Sequence, residues 1–256
     1  MDVHDADDVK DDKAGGIGET ISVVVQALLI ALVFRTFLFQ PFSIPTGSMT
    51  PTLLIGDYLL VSKFSYGYSR YSIPFSPDLF EGRIGADLLG GEPERGDIAV
   101  FRLPRDPRLD YIKRVVGLPG DTVQMREGQL YLNDVAVPRE RAGTYVATNT
   151  FGEPVEVPIF LETLPNGVSY RTLDADPSGP GDDTAEFVVP EGHYFMMGDN
   201  RDNSADSRFT VGMVPLENFV GRAQIIFFSI GEGASALEVW KWPTALRPGR
   251  IFELTE

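Results

Sequence analysis

The sequence predicts a mainly β protein, with antiparallel sheets behind one N-terminal transmembrane helix. Two observations predict this class. Residues 21–34 hold twelve apolar residues out of fourteen, a density typical of a membrane span. Beyond residue 40, short alternating runs are separated by Gly, Pro and Asp turns, and no long amphipathic helical pattern interrupts them. Strands that follow one another through short turns pair in the antiparallel sense.

Composition excludes several classes of function. The chain has 256 residues, of which 37 are acidic and 22 basic, so its formal charge is −15. That balance lacks the Lys and Arg excess that nucleic-acid binding needs. The absence of cysteine excludes disulfides, thiol nucleophiles and Cys-ligated metals, and two histidines, His4 and His193, are too few for a His-rich metal site. We expect no cofactor, so any chemistry must come from oxygen or nitrogen groups.

The N-terminal segment divides into a tail and a span. Residues 1–16 are rich in Asp and poor in apolar side chains, so we expect a disordered acidic tail. Residues 17–39 form the predicted anchor; a helix over 18–39 has 22 residues, about 33 Å against a hydrocarbon core of ~30 Å. Arg35 near one end can extend to the lipid headgroups. A buried helix, disfavoured because a polar face is missing, and a cleaved signal peptide, disfavoured by the acidic start, are the alternatives.

Strands are predicted wherever apolar and β-branched residues alternate between turns. The predicted strands are residues 57–63, 98–103, 111–118, 122–125, 129–132 and 193–197. Between residues 135 and 189 the alternation weakens into sequence rich in Pro and acidic residues. Residues 151–191 contain nine acidic residues and one basic residue, Arg171. We interpret this stretch as a solvated insertion or subdomain.

Two segments contain a candidate nucleophile and a candidate base. PTGSMTPTL at 45–53 places Ser48 beside Gly47, where a substrate backbone can approach closely. A serine nucleophile needs a base, and a plain turn is the alternative. DYIKRVVGL at 110–118 contains Lys113, which a strand would place on one face with Tyr111 and Val115, where burial would lower its pKa from ~10.4. A lysine extending from a sheet edge to water is the alternative there.

A third segment, GDNRDNSADSR at 198–208, is dense in carboxylates. An EF-hand calcium loop fails on spacing, because counting from Asp202 puts Ser207 and Met213 where Gly and Glu are needed. A polar loop of Asx turns with Arg–carboxylate pairs is the plain account. His193 is a second candidate base for Ser48, although nothing in its spacing singles it out.

Four segments in order, PTGSMTPTL, GDYLLVSK, YIKRVVGLPGD and GHYFMMGDNRDNSADSR, lie behind the hydrophobic span. Together they resemble the sequence boxes of the type I (leader) signal peptidases. The resemblance implies a membrane-bound serine endopeptidase that removes signal peptides from exported preproteins after A-x-A-like sites. It implies a peptidase domain over 40–256 with two antiparallel sheet regions, a catalytic core (40–124 and 188–256) and an inserted subdomain (125–187).

The resemblance also implies a site, residue by residue. Ser48 matches the nucleophile and Lys113 the general base of a dyad that works without histidine. The main-chain N–H of Ser48 and the hydroxyl of Thr46 match the oxyanion-hole donors. The family often has Ser at the place of Thr46. Thr keeps the hydroxyl, but its β-branched side chain has fewer rotamers.

Supporting residues and substrate pockets follow from the same match. Ser204 matches the residue that hydrogen-bonds the lysine amine, and Asp206 and Arg208 match an ion pair beneath the site. The apolar pocket walls that accept small substrate side chains would be Phe42, Ile44, Met49, Leu53, Tyr111 and Ile112.

The implied setting is the bacterial inner (plasma) membrane, crossed once, with the catalytic domain on its outer (periplasmic or extracytoplasmic) face. The partners are preproteins carrying signal peptides and the lipid bilayer, with no nucleic acid and with the oligomeric state open. Five aromatic residues are candidates for the membrane interface: Phe37, Phe39, Phe42, Trp240 and Trp242. The competing functions are a Ser/Lys peptidase dedicated to one precursor, a relative of self-cleaving repressor proteases, and a catalytically silent membrane-anchored binding protein.

Overall fold

The computed structural model describes residues 15–73, 82–85, 91–148, 151–231 and 233–255. Apart from residues 15 and 16, the predicted acidic tail lies outside the described residues. The long helix α1 (Gly15–Phe37) begins the described chain. Its segment Gly18–Phe37 has a mean hydropathy of 2.0 and is not buried, so its length and composition suffice to cross a membrane. The helix ends two residues before the predicted limit of 39, because Phe39 already belongs to a strand.

The remainder is mainly β, as predicted. The strands are β1 (Phe39–Ser43), β2 (Asp57–Ser62), β3 (Tyr68–Ser69), β4 (Arg83–Ile84), β5 (Ile98–Leu103), β6 (Asp106–Gly117), β7 (Thr122–Arg126), β8 (Gln129–Leu132), β9 (Val135–Ala136), β10 (Arg139–Thr148), β11 (Pro154–Thr163), β12 (Ser169–Leu173), β13 (Phe187–Val188), β14 (His193–Met197), β15 (Val214–Pro215) and β16 (Phe219–Ser229). A one-turn helix, α2 (Trp242–Ala245), follows. All six predicted strands are present, and the largest difference in their limits is at β6, which starts at Asp106 rather than at residue 111.

One large antiparallel sheet organises the core. Its strand order is β1-β2-β16-β5-β6-β14-β15, so β6 lies between β5 and β14. Apolar side chains from β2, β5 and β16 form a buried cluster with Ile44, Met49 and Leu53. This cluster lies beneath the chain that follows β1 and fixes that chain against the sheet.

The inserted region contains two further sheets, β13-β7-β8-β9 and β10-β11-β12. It is more regular than the sequence suggests, because β10 and β11 form a hairpin of ten-residue strands. Most of β10 is exposed on both faces, so it carries no apolar alternation from which a strand could be predicted. The predicted limits of 125–187 cut through β7 and β13, which pair with each other.

Candidate active site

Ser48 and Lys113, 65 residues apart in sequence, are in direct contact. Lys113 Nζ donates to Ser48 Oγ at 2.7 Å. Both side chains are buried: Ser48 is 7% exposed and Lys113 is 3% exposed. The contact joins the predicted nucleophile to the predicted base. In its neutral form the same amine can accept the hydroxyl proton across this distance.

A short 3-10 turn, Gly47–Met49, presents Ser48. Met49, at the end of the turn, is fully buried in the core and anchors it from below. Asn200 fixes it from the side: its N–H donates to Ser48 O at 3.1 Å, and its Nδ2 donates to Gly47 O at 3.1 Å. The chain around Ser48 is therefore held by both the core and the 198–208 loop.

Lys113 projects from the middle of β6. Its Nζ also donates to Ile112 O at 2.8 Å, and lies 5.5 Å from the centre of the Tyr111 ring. Burial lowers the pKa of Lys113 to about 8, against the opposing charges of Asp206 and Asp199. Desolvation thus outweighs the charges of the two carboxylates, and a minor fraction of the amine is neutral at pH 7.

Ser204 does not form the predicted hydrogen bond to the lysine amine. Its Oγ is buried without a hydrogen-bond partner among the described residues, and the Lys113 amine donates to Ser48 and to a main-chain carbonyl. Ser204 nevertheless lies at the site. A Cβ placed on Gly198 would be 2.2 Å from Ser204 Oγ and 2.5 Å from Ser48 O, so only glycine fits between them.

Three ion pairs hold the 198–208 loop among the described residues: Arg208–Asp206, Arg114–Asp199 and Arg201–Glu162. Arg208 contacts Asp206 through Nε at 3.0 Å and Nη2 at 2.9 Å, and the same carboxylate accepts from Gly198 N at 3.1 Å. Asp199 accepts two hydrogen bonds from Arg114 of β6, at 2.9 and 2.8 Å, and both side chains are buried. The loop is therefore joined to the strand that carries Lys113.

Two adjoining clefts share residues 45 and 110–112. The first, about 320 Å³, lies between residues 41–45 and 110–112. The second, about 440 Å³, contains Thr46, Ser48 and Lys113. Thr46 is exposed there, and its side chain does not cap the turn that follows, which leaves its hydroxyl available to the cleft.

Four of the six predicted pocket residues line these clefts, and two do not. Phe42 and Ile44 line the first cleft, and Tyr111 and Ile112 line both. Met49 and Leu53 are 0% exposed in the core and line neither cleft, so their place in the pocket walls stays a prediction. Both side chains pack into the buried cluster beneath the Ser48 turn, and this packing covers their whole surface.

Comparison with known proteins places this arrangement in a family. The family model described as "Signal peptidase, peptidase S26" matches residues 17–228. The chain belongs to this signal peptidase family. Signal peptidase I of Rickettsia typhi is 43% identical over 243 residues, covering 88% of this chain and 89% of the relative. The Rickettsia canadensis enzyme is 45% identical over 240 residues, covering 87% and 88%. The crystal structure of an Enterococcus faecalis V583 signal peptidase I has 29% identity and a TM-score of 0.32, covering 52% of this chain and 97% of that chain.

The signal peptidase is accordingly a membrane-anchored hydrolase, as the four ordered segments predicted. The cleft residues that sequence reasoning missed include Asp110, Asn203 and Ala205. Asp110 lines both clefts, and Asn203 and Ala205 flank Ser204. Their direct adjacency to predicted site residues was the available signal.

His193, the second candidate base, is not part of the dyad. It begins β14, whereas the 198–208 loop follows the other end of this strand. Its Nδ1 lies 2.9 Å from Glu191 O. The base in contact with Ser48 is the Lys113 amine.

Proposed function

We propose that this signal peptidase removes signal peptides from exported preproteins after A-x-A-like sites, with Ser48 as nucleophile and Lys113 as general base. The observation that carries the proposal is the 2.7 Å contact between the Lys113 amine and the Ser48 hydroxyl, buried at the floor of an open cleft. A serine with a partly neutral amine beside it has the two groups that acyl transfer requires.

The chemistry proceeds in two halves. Neutral Lys113 takes the Ser48 proton while Oγ attacks the scissile carbonyl, and the resulting oxyanion is stabilised by Ser48 N–H and the Thr46 hydroxyl. The ammonium then protonates the leaving amine of the mature protein, and the signal peptide stays esterified to Ser48. Lys113, neutral again, takes a proton from water, whose oxygen attacks the ester. The proton passes to Ser48 Oγ and the signal peptide leaves as a carboxylic acid.

The edge of β6 offers a place for the substrate backbone. β14 pairs with β6 at Arg114, Val115 and Gly117, so in the described chain residues 110–113 have no strand partner on that side. An extended peptide can add there as a further strand, directed at Ser48. Ile44, Tyr111 and Ile112 narrow the clefts around such a strand, which favours small side chains at the first and third positions before the cut.

Cleavage of an A-x-A preprotein by the detergent-solubilised full chain tests the function. We expect one cut, with a product whose new N-terminus follows the A-x-A sequence. A matched preprotein with Leu at the first and third positions before the cut should be processed at least about tenfold more slowly, because the extra side-chain volume does not fit. Equal processing of both substrates, or cleavage elsewhere, would contradict the proposed specificity.

α1 supplies the proposed single membrane crossing. Lys10 and Lys13 favour an N-terminus on the cytoplasmic side, which puts the catalytic domain on the outer face. Ser48 follows the end of the apolar run at Phe39 by nine residues. This short connection holds the nucleophile near the interface, where the apolar segment of a signal peptide ends, and raises the local concentration of substrate.

The segment after β16, residues 237–242, offers a second contact with lipid. Leu237, Val239 and Trp240 are 85, 58 and 72% exposed. Trp242 is 37% exposed and packs on Phe228 with ring centres 5.2 Å apart, so part of its surface is used in packing. Exposed aromatic and aliphatic side chains of this kind partition to the membrane–water interface.

Membrane binding without α1 is therefore expected. A chain lacking residues 1–38, which leaves β1 intact, should co-sediment with phosphatidylcholine vesicles, and Trp240→Ser should weaken that binding several-fold. Uncharged vesicles are needed because the net charge of −15 opposes binding to anionic lipid. Phe151→Ser is the matched control, since Phe151 is 87% exposed but belongs to the inserted region. A truncated chain that stays wholly in the supernatant would refute the lipid contact.

The pH dependence of cleavage reports the base. Because the reactive form of Lys113 is neutral and burial lowers its pKa to about 8, kcat/KM should rise about tenfold per pH unit on the acid side and level off above that pKa. Lys63 is a necessary control, since burial also lowers its pKa to about 8. Lys63→Met should keep the ascending limb. If the ascending limb disappears in Lys63→Met, the limb reports the titration of Lys63, and the assignment to Lys113 is contradicted.

A further inference from the structure

Three carboxylates from distant parts of the chain converge on one side of the 198–208 loop. Asp174 follows β12, and Asp182 lies in the turns that precede β13. Asp202 lies in the 3-10 turn Arg201–Asn203. Each offers one ligand oxygen, and these oxygens all lie within 4.8 Å of one another. Asp174 and Asp182 are 6% and 1% exposed, whereas Asp202 is exposed.

Two of these carboxylates each keep a buried oxygen without a donor. Asp174 Oδ2 is paired with Arg139, and Asp182 Oδ2 accepts from Gly179 N at 2.8 Å. The remaining oxygens, Asp174 Oδ1 and Asp182 Oδ1, are buried and have no hydrogen-bond partner within the described part of the chain. Buried polar atoms are almost always satisfied, so an orphaned pair inside one cluster points to a missing positive ligand.

The charge balance of the cluster points the same way. Three carboxylates face one paired cation, Arg139. Arg208 lies at the edge, where its Nη1 contacts Gly181 O at 3.4 Å and its charge is engaged by Asp206. Burial and the charge of Asp174, with a smaller contribution from Asp202, raise the pKa of Asp182. A dication would compensate this excess of negative charge.

We propose that Asp174, Asp182 and Asp202 bind a divalent cation, Ca²⁺ by the chemistry of the site, which fastens the chain after β12 to the 198–208 loop. Carboxylate oxygens are hard ligands, and Ca²⁺ accepts them in irregular geometry with water completing the shell. The exposed side of Asp202 leaves room for that water and for ion entry. Mg²⁺ demands near-octahedral geometry and sheds its water reluctantly, which three carboxylates from three segments satisfy less well.

The consequence concerns the loop that carries Ser204. Asp202 Oδ2 already accepts from the main-chain N–H groups of Ala175 and Asp176, at 2.6 and 2.9 Å. A cation shared with Asp174 and Asp182 would add ionic bonds across the same junction. The loop should then open less readily, because the cation binds only the closed arrangement. This inference does not depend on the proposed function, since binding and stability can be measured without a substrate.

Calorimetric titration of the detergent-solubilised, EGTA-treated full chain with CaCl₂ tests the site. We expect one saturable site with a dissociation constant in the range of about 10⁻⁵ to 10⁻³ M, and a thermal midpoint that rises with Ca²⁺. Asp182→Asn and Asp202→Asn should each weaken binding at least about tenfold by removing ligand charge. Asn at 202 keeps an oxygen for the two N–H groups, so that variant is expected to fold. Glu186→Gln removes the same charge from an exposed side chain, and this variant should bind Ca²⁺ like the wild type.

Three results would overturn the proposal. The first is no saturable heat or midpoint shift up to ~10 mM Ca²⁺, about tenfold above the weak end of the range for calcium modules. The second is binding that is equal in the wild type, Asp202→Asn and Glu186→Gln, which would show adventitious binding to the acidic surface. The third is a titration in which MgCl₂ binds and CaCl₂ does not, which would overturn the assignment of calcium.

Discussion

Ser48→Ala and Lys113→Met should each lower kcat/KM for an A-x-A preprotein by about 10⁴-fold or more. Ser48 supplies the bond to the acyl group, and Lys113 takes its proton across 2.7 Å. Lys113 is the one titratable side chain that is hydrogen-bonded to Ser48 Oγ among the described residues. Members of such a unit act together, so the double variant should be no slower than either single one. Single-turnover assays with sequenced products measure the loss.

Lys113→Arg separates proton transfer from charge. Arg keeps the positive charge but cannot release its proton in this pH range, so we expect it to be as inactive as Lys113→Met. His193→Ala should retain activity, because His193 lies at the opposite end of β14 from the 198–208 loop. An active Arg variant, or a Ser48→Ala chain that still cuts at the A-x-A site, would contradict the dyad.

Asp199→Ala should be the most destabilising single change near the site, at about 3–5 kcal/mol. Arg114 and Asp199 are 0% and 1% exposed and are joined by two hydrogen bonds. Thr52 Oγ1 adds a third bond to the same carboxylate, at 2.5 Å. Removing the carboxylate leaves the Arg114 guanidinium buried, and its remaining partners within the described ranges are Gly96 O, at 2.7 Å, and the face of Tyr170.

Urea unfolding of the detergent-solubilised chain, followed by circular dichroism, measures this cost. Asp106→Ala is the matched control: it breaks the exposed pair with Arg108 at 2.8 Å and should leave the unfolding midpoint unchanged. The double change Asp199→Leu with Arg114→Met should recover much of the loss, because no uncompensated charge then remains in the core. A midpoint for Asp199→Ala equal to that of the control would contradict the role of the buried pair.

Much of the fold follows from local pattern. Residues 98–103 and 129–132 alternate clearly and form β5 and β8 with the predicted limits. β10 was not predicted as a strand, because most of it is exposed to water and its sequence has no apolar alternation. β11 was missed although Val155, Val157, Ile159 and Leu161 alternate along it, because Pro154 and Pro158 interrupt the pattern of a strand.

The site, like the fold, has features that local sequence predicts and features that it does not. Ser48 and Lys113 were predicted from the types and order of the residues around them. The loss of the Ser204 bond and the burial of Met49 and Leu53 were not predictable, since they depend on rotamers and on which neighbours fill the space behind the Ser48 turn.

By itself, the sequence determined the apolar anchor, the alternating strands and the family, and it predicted the pair that we propose to be reactive. Each of these depends on residues that are close together in sequence, because periodicity, turn chemistry and ordered motifs are local properties of a chain. Only the tertiary structure decided that Lys113 Nζ reaches Ser48 Oγ and that Arg114 neutralises Asp199. It also decided that Asp174, Asp182 and Asp202 meet. These contacts join residues tens of positions apart, and the sheet order that creates them results from packing the whole core at once.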